Sequence, residues 1–130
     1  MTTELTYNQM VVSSFSNADA DRVFRALADT TRRDILTRAV EHEQSVSALA
    51  RRYEMSFAAV QKHVAVLERA GLVSKQKHGR EQIVHANTPT LRRAAALLDA
   101  YEQLWIQRAT QIADLLAGEK GGRDGSHHDP

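Results

Sequence analysis

The sequence of 130 residues predicts a mainly α-helical domain with one small β-hairpin, in the order α-α-α-α-β-β-α. Three observations support this class. Apolar residues recur at helical spacing before and after residues 72–86, where the spacing changes to every second residue. Only Gly71 and Gly79 interrupt the part of the chain that precedes a glycine-rich end. No apolar run approaches the roughly 18 residues that a membrane-spanning helix needs.

Two helices open the domain. We expect Asn17 or Asp19 to cap the first helix and Asp29 to cap the second, because their side-chain oxygens can bond free N–H groups in a first turn. The polar residues 41–44 then predict a connector. Four apolar residues at helical spacing form the inner face of the second helix: Ile35, Leu36, Ala39 and Val40.

A short third helix and a longer fourth helix follow across a tight turn. Ser45 or Ser47 is expected to start the third, over residues 46–53. Ser56 caps the fourth, which runs to residue 70 and ends before Gly71. Apolar residues on facing sides predict that the pair packs as a helix-turn-helix. These residues are Leu49, Ala50, Tyr53, Met55, Val60, Val64 and Leu67.

The alternating pattern after Gly71 predicts two strands, residues 72–77 and 81–86. Gly79 lies between them and can adopt the positive φ that a hairpin turn requires. We expect Thr88 or Thr90 to cap a long last helix, with Pro89 breaking the chain before it. The hairpin therefore forms a wing beside the helix-turn-helix.

The net charge of +1 conceals an uneven distribution. Residues 1–50 carry a net charge of −2, and residues 94–130 carry −3. Residues 51–93 carry nine bases and three acids, a net charge of +6. Because like charge is concentrated where the helix-turn-helix and the hairpin lie, we expect this region to face a polyanion.

The outer face of the fourth helix suits the major groove of double-stranded DNA. Its leading residues are small, and it carries Gln and Lys side chains that can bond base edges. The hairpin tip adds cations on a thin element that can reach the DNA backbone or the minor groove. The expected DNA-binding residues are Ser56, Phe57, Ala58, Gln61, Lys62, His63, Arg69, Lys77, His78 and Arg80.

The last helix carries an apolar stripe with a seven-residue repeat, which is too apolar to remain exposed. We expect part of it to pack on its own domain and the rest to form a homodimer. The expected interface residues of this helix are Leu91, Leu98, Tyr101, Trp105, Ile112 and Leu115. A two-fold dimer would place two recognition helices roughly 34 Å apart, which predicts an inverted-repeat operator.

Three segments together resemble the bacterial ArsR-type (arsenical-repressor-like) winged-helix transcriptional regulators. They are ALADTTRRDIL at 26–36, MSFAAVQKHV at 55–64 and LERAGLV at 67–73. The resemblance covers about residues 17–117. It implies a homodimeric repressor that occupies an operator overlapping a promoter, with a recognition helix at 56–70 and a wing at 72–86. It also implies pairing through the first and last helices, which adds Val23 to the expected interface residues.

The chain departs from this family at three positions. The family usually has proline at the position of Thr30 and often has proline at the position of Ala58. A small serine is common in the family where this chain has Gln61. Asp29 and Ser56 still cap their helices, so the two prolines are not needed for the fold. Because Gln61 can make a bidentate contact with adenine, the operator sequence does not carry over from relatives.

Neither a metal site nor a catalytic site is expected. The chain has no cysteine, and no histidine lies between Leu91 and Leu116 to join the carboxylates there. No serine, histidine and carboxylate form a nucleophile arrangement, and no glycine-rich loop follows a strand. No cofactor and no enzyme activity are therefore expected. Two alternatives remain open, a metal- or ligand-responsive switch on this scaffold and a winged-helix module that binds proteins.

The predicted organisation has three parts. Residues 1–16 are expected to be a flexible arm, residues 17–117 a winged-helix DNA-binding and dimerisation domain, and residues 118–130 a disordered tail. His127 and His128 in that tail could bind metal adventitiously. Without a secretory signal, a cytoplasmic location without a membrane partner is expected. The residues do not identify an inducer.

Overall fold

In the computed structural model, a side-chain oxygen caps the N-terminus of each of the first four described helices. The structure describes the backbone of residues 14–128 and the side chains of residues 14–118. That part contains five helices and a three-stranded antiparallel sheet. The helices are α1 Asn17–Leu27, α2 Thr30–Glu41, α3 Val46–Ala50, α4 Phe57–Arg69 and α5 Thr88–His128. The strands are β1 Gln44–Ser45, β2 Val73–His78 and β3 Glu81–Ala86. The predicted fold class is confirmed, with one strand more than expected.

The caps show where local sequence decides structure. Asp29 Oδ1 accepts a hydrogen bond from the Arg32 N–H at 2.9 Å, and Ser45 caps α3 in the same way. For α1 the cap is Ser16, whose Oγ accepts from the Asp19 N–H at 3.0 Å, and not Asn17 or Asp19 as expected. Ser16 has the extended backbone of a cap residue, whereas Asn17 is already helical.

Helices α1 to α4 and the wing share one apolar core. Nine large side chains in it are less than 2% exposed: Val23, Ile35, Leu49, Val60, Val64, Leu67, Leu72, Val73 and Val84. Val40, expected on the inner face of α2, is instead 55% exposed. Val23, expected at a dimer interface, is 0% exposed in the single chain and belongs to this core. Phe15, in the predicted N-terminal arm, is also buried. Residues 1–13 of that arm lie outside the described residues.

The sheet contains a strand that the alternating pattern did not predict. β1 pairs antiparallel with β3, with Gln44 opposite Val84 and Ser45 opposite Ile83. The strand order is therefore β1-β3-β2. Part of the expected connector, residues 41–44, thus belongs to the sheet. A strand of two residues is too short to show a two-residue period.

The start of α5 is tied to the end of α4. Asn87 donates from Nδ2 to the Gly71 carbonyl at 3.0 Å and from its backbone N–H to Leu72 at 2.9 Å. Gly71 has φ 77°, and a Cβ there would lie 3.3 Å from Oγ1 of the buried Thr90. Thr90 therefore packs in the first turn of α5. Pro89 lies in the same turn, where its missing N–H costs no helical hydrogen bond.

The chain divides into two compact units, Met1–Ala96 and Leu97–Pro130, with the boundary inside α5. The single domain predicted over residues 17–117 and the disordered tail predicted at 118–130 stay predictions. The described backbone is helical to residue 128, and Asp129 and Pro130 lie outside it. None of the described helices has the length and apolar character to cross a membrane.

Candidate nucleic-acid interface

Helix α4 has one fully buried face and one exposed face. Val60, Val64 and Leu67 are each 0% exposed and fix the helix to the core. The exposed face carries the small Ala58 and the polar pair Gln61 and Lys62, as the sequence predicts. The exposed side chains are thus held on a rigid helix whose rotation about its axis is set by the core.

The start of α4 is organised by Ser56. Its Oγ accepts from the Ala59 N–H at 3.0 Å, so this expected DNA-binding hydroxyl serves as the helix cap. The N–H groups of Phe57 and Ala58 precede the intrahelical hydrogen bonds and are available to an anion. Phe57, also expected at the interface, is 47% exposed. The leading turn therefore combines free donors with an exposed aromatic ring.

Two cations near this turn were absent from the predicted contacts. Arg51 and Arg52 are exposed and lie between α3 and α4. Their signal in the sequence is their place in the turn of the helix-turn-helix, within the basic segment 51–93. They extend the positive surface toward the N-terminus of α4.

Hydrogen bonds among Asp34, Arg38 and Tyr53 hold the turn between α3 and α4 against α2. Tyr53 Oη donates to Asp34 Oδ2 at 2.5 Å, and Arg38 Nε donates to the same oxygen at 2.9 Å. Burial and the hydrogen bond to Asp34 raise the pKa of Tyr53 to about 12. The hydrogen bonds from Tyr53 and Arg38 lower the pKa of Asp34 below 3.8. The carboxylate and the neutral phenol therefore link α2 to the turn that precedes α4.

His63, expected to contact DNA, lies on the side of α4 that faces α2. It is half-buried, and its Nδ1 lies 3.3 Å from Nη1 of Arg32. Arg32 also donates from Nε to the Ala26 carbonyl at 2.8 Å and from Nη2 to the Arg25 carbonyl at 3.2 Å. One guanidinium thus joins the end of α1 to the middle of α4.

The wing presents its cations around a tight turn. Gly79 has φ 63°, and Lys77, His78 and Arg80 are all exposed beside it. The paired strands keep this tip in register, with Lys77 opposite Gln82. The structure therefore gathers the three predicted wing residues at one tip.

The wing is also joined to α4 at its base. Lys75 Nζ lies 3.5 Å from Glu68 Oε1, and this lysine side chain is only 26% exposed. Arg69 is the last residue of α4 and is exposed. It follows Lys62 by seven residues, so it lies about 10 Å further along the same side of the helix.

The expected dimer residues of the second unit are exposed in the single chain. Leu98, Tyr101, Trp105, Ile112 and Leu115 range from 45% to 72% exposed. Leu91, in the first unit, is half-buried. Leu104, Ile106 and Leu116 are exposed as well, so the apolar surface is wider than the seven-residue repeat.

Among the described residues, no three His, Asp or Glu side chains form a group that could hold a metal ion. His85 Nδ1 lies 2.8 Å from Glu43 Oε2, and this pair joins β3 to the segment before β1. The side chains of His127 and His128 lie outside the described part.

Comparisons with known proteins agree with this geometry. Residues 29–75 match the family model described as bacterial regulatory protein, arsR family. An ArsR-like transcriptional regulator from a Rhodococcus species is 37% identical with a TM-score of 0.67, over 75% of this chain and 92% of that one. The chain belongs to the ArsR family.

Two other relatives extend the comparison. An HTH-type transcriptional regulator of Mycobacterium tuberculosis is 34% identical to this ArsR-family chain over 99 residues, 76% of this chain and 90% of the relative. A homodimeric winged helix-turn-helix DNA-binding domain from Mycobacterium bovis is 21% identical with a TM-score of 0.54, over 79% of this chain and 92% of that one. The protein is an ArsR-family transcriptional regulator with a winged helix-turn-helix DNA-binding fold.

Proposed function

We propose that this regulator is a homodimeric repressor, acting in the bacterial cytoplasm, that occupies an inverted-repeat operator through α4 and the wing. The observation that carries the proposal is the exposed face of α4. It presents Gln61 and Lys62 on a helix whose opposite face is completely buried. Such a helix can enter a major groove about 12 Å wide without loss of core packing.

Each exposed group has a distinct part in this proposal. The amide of Gln61 donates to and accepts from adenine, and Lys62 bonds guanine or a phosphate. The N-terminal N–H groups of α4 face a phosphate oxygen. Lys77 and Arg80 at the wing tip neutralise backbone phosphates beside the groove. Bases are thus read by α4, while the wing contributes affinity.

The apolar surface of the second unit supports the homodimer. Leu98 is 56% exposed, Trp105 is 64% exposed and Leu115 is 72% exposed, on positions that repeat along one helix. Soluble proteins rarely leave such a continuous apolar surface in water. A second copy with the same stripe covers it and supplies the second recognition helix that an inverted repeat requires.

The repressor role is supported by the family resemblance and by the surface of α4 and the wing that we propose faces DNA. Two α4 helices about one turn of DNA apart occupy both half-sites. An operator that overlaps a promoter is then closed to the polymerase. No second candidate function is favoured by the interface itself.

The test is fluorescence anisotropy with a DNA fragment from the gene's own promoter. Lys62→Ala and Arg80→Ala should each weaken binding by about 5- to 150-fold, since one contact is worth about 1–3 kcal/mol. The slope of the logarithm of the affinity against the logarithm of the salt concentration should also fall in magnitude by about 1 for each lost phosphate contact. Arg92→Ala removes the same charge from exposed surface outside the proposed contacts and should bind as the parent does.

Two results would contradict the assignment. Parental affinity in both Lys62→Ala and Arg80→Ala would show that the DNA-binding face lies elsewhere. An affinity for the promoter fragment that does not change with salt would exclude a phosphate-binding surface.

A further inference from the structure

A cavity of about 330 Å³ lies between α1 and the last turn of α4. It is lined by Arg22, Arg25, Val66, Arg69 and Ala70. Its volume is at the lower end of the range for small-molecule sites, about 300–1,000 Å³. The cavity includes none of the residues proposed to read bases or to form the wing tip.

The cavity has positive charge that the described residues do not balance. Arg22 Nη1 donates to Asp19 Oδ1 at 3.0 Å and keeps its other N–H donors. Arg25 and Arg69 make no ion pair within residues 14–118. Glu68, the acid beside Arg69, is directed to Lys75 at 3.5 Å. Three cations thus line the cavity, and within residues 14–118 one of them, Arg22, has a carboxylate partner.

The floor of the cavity is apolar. Ala70 is 8% exposed and Val66 is half-buried, so neither offers a side-chain hydrogen bond. Guanidinium groups bind carboxylate and phosphate oxygens through paired N–H donors. An apolar floor beneath such donors favours an anion with a short hydrocarbon group over an inorganic ion.

We propose that Arg22, Arg25 and Arg69 form a binding site for a small organic oxyanion, either a carboxylate or a phosphate ester, whose short apolar part covers Val66 and Ala70. Arg69 is the last residue of α4 and lies about 10–12 Å along the helix from Lys62 and Gln61. The oxyanion therefore binds at the C-terminal end of the recognition helix, about two turns from the base-reading residues.

The site also bears on the position of α4. Arg32 already connects the carbonyl of Arg25 to His63 in the middle of α4. An anion held between Arg25 and Arg69 adds a second connection between α1 and α4. The occupant is thereby an effector of DNA affinity; this consequence rests on the proposed function, whereas the binding of the anion does not.

The experiment follows the arginine Nε–Hε signals of the ¹⁵N-labelled full chain by NMR. Acetate, butyrate, hexanoate and inorganic phosphate are titrated at constant ionic strength. We expect saturable shifts of the three cavity arginines. Because the floor is apolar, affinity should rise by about two- to fourfold for each methylene added to the carboxylate.

Paired variants locate the binding. The double variant Arg25→Gln/Arg69→Gln should lose at least about tenfold in butyrate and hexanoate affinity, which corresponds to about 1.4 kcal/mol. Arg80→Gln also removes a surface guanidinium, at the wing tip, and should keep the parental carboxylate affinity. Thermal unfolding of both variants checks that the fold is intact, and promoter binding without added anion distinguishes their effects on DNA.

Specific outcomes would overturn the proposal. Carboxylate affinity that is unchanged in Arg25→Gln/Arg69→Gln would place the anion elsewhere. If no anion saturates and the double variant weakens DNA binding with a shallower salt dependence, the arginines contact DNA phosphates. If the double variant instead dissociates the homodimer, the arginines bind the partner chain. Loss of DNA binding in Arg80→Gln alone concerns only the proposed function.

Discussion

The same apolar residue types have opposite environments in residues 14–96 and 97–118. In the first region, Leu49, Leu67 and Leu72 are completely buried among four helices and a sheet. In the second, every side chain from 101 to 118 is exposed, including Leu115 at 72%. The difference shows that the first region completes its own core, whereas the apolar side chains of residues 101–118 remain exposed in the single chain, where we propose that a second chain covers them.

This contrast assigns different thermodynamic roles to the two regions. A self-contained core gives stability that does not depend on protein concentration. A surface that needs a second copy gives stability that does depend on it. Variants that alter one region and leave the other unchanged test the comparison directly.

The largest expected effect comes from a cavity in the core. Leu67→Ala should lower the free energy of unfolding by about 2–5 kcal/mol, because it removes packed atoms from a site that is 0% exposed. Urea denaturation followed by circular dichroism measures it. Leu115→Ala makes the same chemical change at an exposed position, and at low protein concentration it should cost less than about 0.5 kcal/mol. Equal losses in the two variants would remove the distinction between the regions.

A charge in the apolar stripe should act on assembly. Trp105→Asp should weaken self-association by about 10- to 100-fold, since it removes a large apolar side chain and places a carboxylate in the proposed interface. Sedimentation equilibrium measures the dissociation constant. Gln107→Asp adds a carboxylate at an exposed position outside the seven-residue repeat and should keep the dimer. A Trp105→Asp protein that remains as dimeric as the parent would place the interface elsewhere.

The smallest effect concerns the turn before α4 and depends on pH. Tyr53→Phe should cost about 1 kcal/mol near pH 7, through loss of the hydrogen bond to Asp34. The Asp34 pKa is lowered in the folded state, so its contribution is present above 3.8 and is lost as pH falls through the folded value. The Tyr53 pKa is raised from 10.0 to about 12, so its contribution is lost across that interval as pH rises.

The difference in stability between the parent and Tyr53→Phe should therefore shrink at both ends of the pH range. Urea denaturation at a series of pH values measures this difference. Tyr101→Phe removes a hydroxyl from a residue that is 61% exposed and should have little effect at any pH. A difference that stays constant from acid to alkaline pH would show that the Asp34–Tyr53 hydrogen bond does not contribute.

Local features of the candidate site could be predicted because a few neighbouring residues decide them. Asp29 and Ser56 cap their helices through hydrogen bonds to residues three positions later. Gly79 supplies the positive φ of the wing turn. The exposed face of α4 follows from the buried positions on its opposite side. These predictions needed only short-range chemistry and helical periodicity.

Features that join distant residues could not be predicted in the same way. β1 exists because Gln44 and Ser45 meet β3 across about 40 residues of chain. His63 faces Arg32 because α2 and α4 pack together, which no spacing within α4 reveals. Thr90 is buried because Gly71 leaves room beside it. Each depends on a contact that forms only after the elements assemble.

The sequence by itself determined the caps at Asp29 and Ser56, the wing turn, the basic segment 51–93 and the family resemblance, because these depend on residue types at neighbouring positions. Only the tertiary structure decided the third strand, the inward orientation of His63 and the placement of Arg69 beside Arg22 and Arg25. Packing brings these groups together from distant positions in the chain, and the residue pattern along the sequence does not show which distant residues come into contact.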